Sequence, residues 1–172
     1  MKYVGCKCNL LKNGQLGLAL KIIKMKKLFF ACDHGALDLK NELVEFAKTL
    51  WIDFEDLGVN STDSVDYPDV AKSACERILK EDWLWVLLCG TGIWISIAAN
   101  KVCWIRAALV HTEYEAKMAK NHNNANVICF GGRVLWSELA KACLKKFLDS
   151  EFEGGRHERR VGKLESACYT GN

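Results

Sequence analysis

Val86-Leu87-Leu88-Cys89-Gly90-Thr91-Gly92 reads as a buried strand running into a glycine-rich turn, with a cysteine at the strand's tip. An apolar run this short is a strand rather than a helix, and the helical spacing that resumes after Gly92 makes the turn a strand-to-helix junction. Such a junction points successive backbone N–H groups and a helix N-terminus at one spot, where a phosphate or a developing oxyanion is stabilised. A cysteine there is placed for base chemistry, because a thiol near a helix N-terminus gives up its proton more readily than a free one. The alternative is a small buried side chain beside glycines that only make a tight turn, and the turn by itself does not separate the two.

The same alternation extends in both directions. Short apolar runs at 27–32, 52–57, 84–89, 105–110 and 126–130 are bounded by Gly, Asp or Asn and read as strands. Segments of helical spacing lie between them at 36–50, 68–80, 93–102, 113–121 and 133–148. In the first helix Leu39, Leu43, Phe46 and Leu50 form an apolar stripe, with Lys40, Glu45 and Lys48 expected to face out. The single proline, Pro68, suits the first turn of the second helix. The expected fold is α/β: a three-layer Rossmann-like sandwich of five parallel strands with helices on both faces, binding ligand at the carboxyl ends of the strands.

Composition narrows the class. The chain has 172 residues, enough for one domain with a full core, and 24 basic against 21 acidic side chains leave a net charge of only +3. That balance argues against nucleic acid or an anionic membrane as partner. The nine cysteines (Cys6, Cys8, Cys32, Cys75, Cys89, Cys103, Cys129, Cys143 and Cys168) are odd in number and scattered through predicted elements. A reducing compartment, the cytoplasm, is therefore expected rather than a disulfide framework. Cys6 and Cys8 have no second pair at ligand spacing, so a zinc site is not expected there. Residues 1–24 hold an apolar stretch, Leu16 to Ile23, that is broken by Lys21 and too short to span a membrane. The domain is expected at 25–165, preceded by an extension that is either an over-long start at Met1 or a genuine disordered or docking arm, and followed by a tail at 166–172.

Polar and titratable groups collect where ligand is expected. The first strand delivers Asp33-His34, the second leads to Asp66-Tyr67-Pro68, the third delivers the Cys89 turn, and His122-Asn123 is expected on the same rim. No Gly-x-Gly-x-x-Gly follows the first strand, which argues against a dinucleotide site. Near the C-terminus, Glu153-Gly154-Gly155-Arg156-His157-Glu158-Arg159-Arg160 would place Arg156 and Arg160 on one helical face, a forked grip for phosphate if it is not a solvated basic turn.

These residues carry a resemblance. Ala31-Cys32-Asp33-His34, Asp66-Tyr67-Pro68, Cys89-Gly90-Thr91-Gly92-Ile93, Ile95 through Lys101, Ile105-Arg106-Ala107, His122-Asn123, Phe130-Gly131-Gly132-Arg133-Val134 and Glu153 through His157 are collinear over about residues 26–165. Together they resemble the ribose-5-phosphate isomerase B family, which includes galactose-6-phosphate isomerase subunits. The resemblance implies an aldose–ketose isomerase of the pentose phosphate pathway, interconverting ribose 5-phosphate and ribulose 5-phosphate. It implies Cys89 as the base that moves a proton between C1 and C2 through a cis-enediolate, with Thr91 assisting and the amides of residues 90–94, Gly90 and Gly92 among them, holding the negative oxygen in place of a Lewis acid, so that neither a metal nor an organic cofactor is expected. It further implies His122 for ring opening, Asp33 and Asn123 for sugar hydroxyls, and His34, Arg133, Arg156 and Arg160 for anchoring substrate and phosphate. Tyr67 and Trp94 belong with the substrate contacts. Family members resemble homodimers whose sites are completed across the interface. Galactose or allose 6-phosphate as substrate, and a non-catalytic sugar-phosphate-binding subunit, remain as alternatives.

The six tryptophans are the departure. Trp51, Trp83, Trp85, Trp94, Trp104 and Trp136 stand where the family commonly shows glycine or a turn residue. Trp51 follows a helix where a left-handed cap is expected, and Trp94 lies where backbone should approach a ligand. The reading this suggests is a gene from a lineage that decodes UGA as glycine, translated with a table that reads UGA as tryptophan; the alternative is genuine divergence. If Trp94 is real, its indole narrows the pocket and is strained should its φ be positive.

Overall fold

The structure, a computed structural model, describes residues 27–59, 77 and 83–166. The arm at 1–24, Tyr67, Pro68, the predicted 68–80 helix apart from Arg77, and the tail beyond Ser166 lie outside the described residues.

In chain order the elements are β1 (Leu28–Cys32), a single 3-10 turn (His34–Ala36), α1 (Leu37–Thr49), β2 (Phe54–Asp56), β3 (Leu84–Cys89), α2 (Ile93–Asn100), β4 (Ala107–Leu109), α3 (Glu113–Asn121), β5 (Val127–Gly131), α4 (Ser137–Leu148) and α5 (Arg156–Ser166). The five strands are all parallel, in the order β2-β1-β3-β5-β4. The central strands β1, β3 and β5 are buried along their whole length, which is why they read as unbroken apolar runs.

Alternation divides the core in two. Leu28, Phe30, Cys32, Val86, Leu88, Ile128 and Phe130 face α1, α3 and α4, meeting Leu39, Leu43, Ala116, Ala119, Leu144 and Phe147. Phe29, Ala31, Trp85, Leu87, Cys89, Val127 and Cys129 point the other way, onto Ile95 and Ala99 of α2. The expected helices on both faces are therefore present. α3 begins on a full capping box, with the Glu115 N–H donating to Thr112 Oγ1 at 3.2 Å and the Thr112 N–H to Glu115 Oε2 at 3.0 Å.

Two local expectations are corrected. Lys40 does not face out: it is 1% exposed, and its ammonium is paired with Asp56 at the end of β2. The partner carboxylate is what allows a lysine on the buried side of α1, since a charge leaves water only when paired. α4 begins at Ser137 rather than 133, because Arg133 and Val134 are held in a turn by bonds to the Gly90 carbonyl (2.9 Å) and the Gly131 carbonyl (3.1 Å).

The tryptophans divide. Trp51 (φ 57°) and Trp104 (φ 70°) occupy the left-handed region, and among the described non-glycine residues only Asn124 joins them there. A large L side chain at such a position is strained, as expected for Trp51. Trp94 is not strained, since it sits in the first turn of α2 with no positive φ. Trp83 and Trp85 stack on Phe29 with centroids 4.0 and 4.3 Å away, and Trp85 is wholly buried, so ring packing there gives no mark of glycine.

Candidate functional site

The strand order changes direction at the β1/β3 boundary: β2 lies on one side of β1, and everything from β3 onward lies on the other. α1 and α2, which leave these two strands, pack on opposite faces and open a crevice at their carboxyl ends, where ligands bind in folds of this kind. Asp33 follows β1 and Cys89 ends β3, and the two loops are tied by the Asp33 N–H donating to the Leu88 carbonyl at 3.1 Å.

The cysteine is 3% exposed, and its Sγ accepts the Gly92 N–H at 3.1 Å. Gly92 caps α2 with φ 77°, which turns its amide toward the sulfur. The next amide, on Ile93, donates to Thr91 Oγ1 at 3.3 Å. The first amides of α2 are thus aimed at Cys89 and Thr91, the arrangement that stabilises negative charge. Asp33 is 7% exposed; its Oδ1 accepts the Gly35 N–H at 2.8 Å, which fixes the carboxylate over the loop. His34 follows, with Nδ1 buried and no hydrogen-bond partner among the described residues, a polar atom left for a ligand.

β5 closes this edge. Cys89 and Gly131 are register partners, and the Gly132 N–H donates to the Cys89 carbonyl at 2.9 Å. Arg133 bonds the Gly90 carbonyl through its own N–H, and its guanidinium carbon would lie 3.6 Å from a Cβ placed on Gly90. A positive charge therefore lies beside Gly90 of the anion loop.

The remaining predicted residues are elsewhere in the chain. His122 and Asn123 follow the end of α3 and precede β5, so they lie at the amino edge of the sheet. The length of β5, roughly 15 Å at about 3.3 Å per residue, separates them from the Cys89 rim. This corrects the expectation of a shared rim: a crossover helix runs antiparallel to its strands, so its C-terminus is delivered to the opposite edge. Arg156 and Arg160, exposed on α5, belong to that second group, and α5 is helical from Arg156 as the arginine spacing requires.

The amino-edge group is ordered by residues the sequence left without a role. The His122 and His157 rings stack with centroids 4.2 Å apart and planes 7° from parallel. Glu153 Oε2 lies 3.7 Å from His122 Nε2 and 3.9 Å from His157 Nε2. Arg156 Nε donates to His157 Nε2 at 3.3 Å. Burial, then the neighbouring His122 and Arg156, hold His157 below the usual imidazole range. The i,i+4 spacing of Glu153 and His157 was the available signal. At the far end of α5, Glu165 pairs with Arg106, which also donates to the Asn124 carbonyl at 2.9 and 3.0 Å.

The comparisons with known proteins agree with this architecture. Residues 28–164 match the Ribose/Galactose Isomerase family. Ribose-5-phosphate isomerase B of Escherichia coli (strain K12) is 41% identical over 138 residues, 80% of this chain and 93% of that protein. A Bacillus subtilis (strain 168) protein, "Putative sugar phosphate isomerase YwlF", is 42% identical over 140 residues, 80% of this chain and 94% of its own. The crystal structure of a ribose 5-phosphate isomerase from Thermotoga maritima matches with a TM-score of 0.80 at 43% identity, covering 82% of this chain and 98% of that one. The type B ribose 5-phosphate isomerase of Trypanosoma cruzi gives 0.82 at 33% identity, covering 86% and 99%. Among the described residues no helix is long and apolar enough to cross a membrane. Sequence, topology and the cysteine-bearing anion loop converge on one conclusion: this chain belongs to the Ribose/Galactose Isomerase family of sugar-phosphate isomerases.

Proposed function

We propose that the chain interconverts ribose 5-phosphate and ribulose 5-phosphate by proton transfer at Cys89. The observation that carries the reading is the Gly92 N–H donated to Cys89 Sγ at the N-terminus of α2. In the aldose-to-ketose direction the Cys89 thiolate takes the C2 proton of the open-chain sugar and the carbonyl at C1 becomes an enediolate. The proton returns to C1, a proton passes from the C2 hydroxyl to O1, and C2 becomes the carbonyl. The amides of residues 90–94 hold the developing oxyanion, the role such donors serve best when fixed in place beforehand. Thr91 assists at the same loop. Asp33 holds a sugar hydroxyl, and His34 and Arg133 anchor the substrate over the loop.

His122, for ring opening, Asn123, for a hydroxyl, and Arg156 and Arg160, for the phosphate dianion, come from a second copy of the chain. Two observations support that assembly. The two halves of the site stand at opposite edges of one sheet, and α2 leaves Ile93 (51% exposed), Trp94 (58%) and Ile97 (47%) uncovered beside the Cys89 loop. A two-fold pairing would cover that patch and bring each carboxyl edge to a partner's amino edge. Trp94 then borders the pocket, and Tyr67 joins the substrate contacts.

The test is conversion of ribose 5-phosphate by the purified chain, with Cys89→Ala as control, alongside a version carrying glycine at all six tryptophan positions. Cys89-dependent turnover supports the assignment. Silence from folded proteins of both kinds, or turnover untouched by Cys89→Ala, overturns it.

A further inference from the structure

We propose that Glu153 and His157 are positioning residues that hold the His122 imidazole in the orientation needed to pass a proton between the anomeric hydroxyl and the ring oxygen of the sugar. The inference rests on the ring-opening role given to His122 under the proposed function.

His122 sits just past the end of α3, a place where a side chain 35% exposed would ordinarily sample several rotamers. Here it lies flat against His157, which is itself 7% exposed and cannot follow it. Glu153 is fixed from the other side: its Oε1 accepts Asn121 Nδ2 at 2.8 Å, and its N–H donates to the Asn121 carbonyl at 3.0 Å. That clamp leaves Oε2 facing both Nε2 edges.

The charges assign the proton. Arg156 Nε donates to His157 Nε2, so that nitrogen is an acceptor and the ring is neutral. Two imidazoliums stacked at 4.2 Å would repel, and His122 Nε2 faces the Glu153 carboxylate at 3.7 Å. His122, the more exposed of the two rings, is the one placed to take up and release a proton. During ring opening O1–H and C1–O4 break while C1=O1 and O4–H form. The net change is one proton moved from O1 to O4, which His122 carries with no further reagent. Within the trio, His157 Nε2 already accepts from Arg156 Nε, which leaves His122 Nε2 and the Glu153 carboxylate as the groups facing solvent.

The experiment separates ring chemistry from carbon chemistry. Ribulose 5-phosphate has no hydroxyl able to close a five-membered ring, so exchange of its C1 hydrogen with deuterium oxide needs Cys89 but no ring opening. The purified full chain is compared with Glu153→Gln and His157→Phe, with thermal midpoints measured to verify folding. The expected result is a kcat for ribose 5-phosphate lowered about 10- to 100-fold in both variants, while KM and the C1 exchange rate stay within about twofold. Equal loss of conversion and exchange in the variant that folds, or no loss of conversion, overturns the proposal. Absence of both activities from the unsubstituted chain overturns the isomerase reading itself, and this inference with it.

Discussion

Gly131 and Thr91 approach so closely that a Cβ on Gly131 would lie 2.6 Å from the Thr91 carbonyl oxygen. The obstruction is backbone and cannot swing away, so the last residue of β5 sets how near the Cys89 loop lies to the sheet. Gly131→Ala is predicted to push residues 90–92 outward. A displacement of about 1 Å at reacting groups costs on the order of 100-fold in rate, so kcat/KM for ribose 5-phosphate should fall by about that factor. Overpacking should also lower stability by about 1–3 kcal/mol. Steady-state kinetics and urea denaturation read the two effects, and an alanine variant of normal activity would contradict the geometry.

Trp51 and Trp104 carry positive φ with large side chains. Left-handed backbone costs an L residue about 1–2 kcal/mol, and glycine avoids most of it. Trp51→Gly and Trp104→Gly are each predicted to raise unfolding free energy by about 1 kcal/mol. Trp51 is the cleaner test, because at 91% exposure its ring has little packing to lose. A drop in stability for Trp51→Gly would count against glycine as the residue the fold was built around. UGA codons at all six positions in the gene would point the same way as a gain.

Cys32 and Cys143 are both pushed up to about 11, in each case chiefly by burial. At pH 8 only about one thiol in a thousand of either kind is ionised, and the thiolate is the species that alkylates. Iodoacetamide applied to the folded protein at pH 8 should leave both unmodified when peptides are mapped by mass spectrometry. Labelling of either before the protein unfolds would mean that the core around β1 and α4 opens more readily than its packing allows.

His157 titrates below the ordinary imidazole range in the folded protein, so between the folded value and about 6.5 the unfolded chain binds more protons. Stability is then complete above about pH 6.5 and declines as pH falls through that value toward the folded one. The thermal midpoint of the chain should drop between pH 7.5 and pH 5.5, and His157→Phe should drop less. Parallel declines in the two proteins would remove His157 as the source.

Much of this was legible in advance, for reasons that differ from element to element. β1, β3 and β5 were readable because burial on both faces demands continuous apolar runs. The edge strands β2 and β4 are only three residues each, shorter than the runs at 52–57 and 105–110, since an edge strand has a neighbour on one side alone. Cys89, Asp33 and Arg133 were findable because each terminates or follows a strand, and parallel strands put their ends together. His122 was misplaced because proximity in sequence to β5 was read without the direction of α3. Lys40 was misread because helical periodicity sees a polar residue and not the Asp56 carboxylate waiting sixteen positions later. Glu153 and His157 gained meaning only when folding set them against His122.

The placement of the two half-sites at opposite edges has a consequence for inheritance. In the proposed dimer each active centre draws on two polypeptides, so a chain lacking Cys89 and a chain lacking His122 carry defects that fall in different places. In a mixed dimer of Cys89→Ala and His122→Ala, one centre gathers both lesions and the other is wholly intact. Random pairing of equal amounts should restore about a quarter of the active centres, although neither parent protein works alone. Two silent alleles would thus support each other in one cell, and a refolded mixture that stays silent would show that each chain keeps its chemistry to itself.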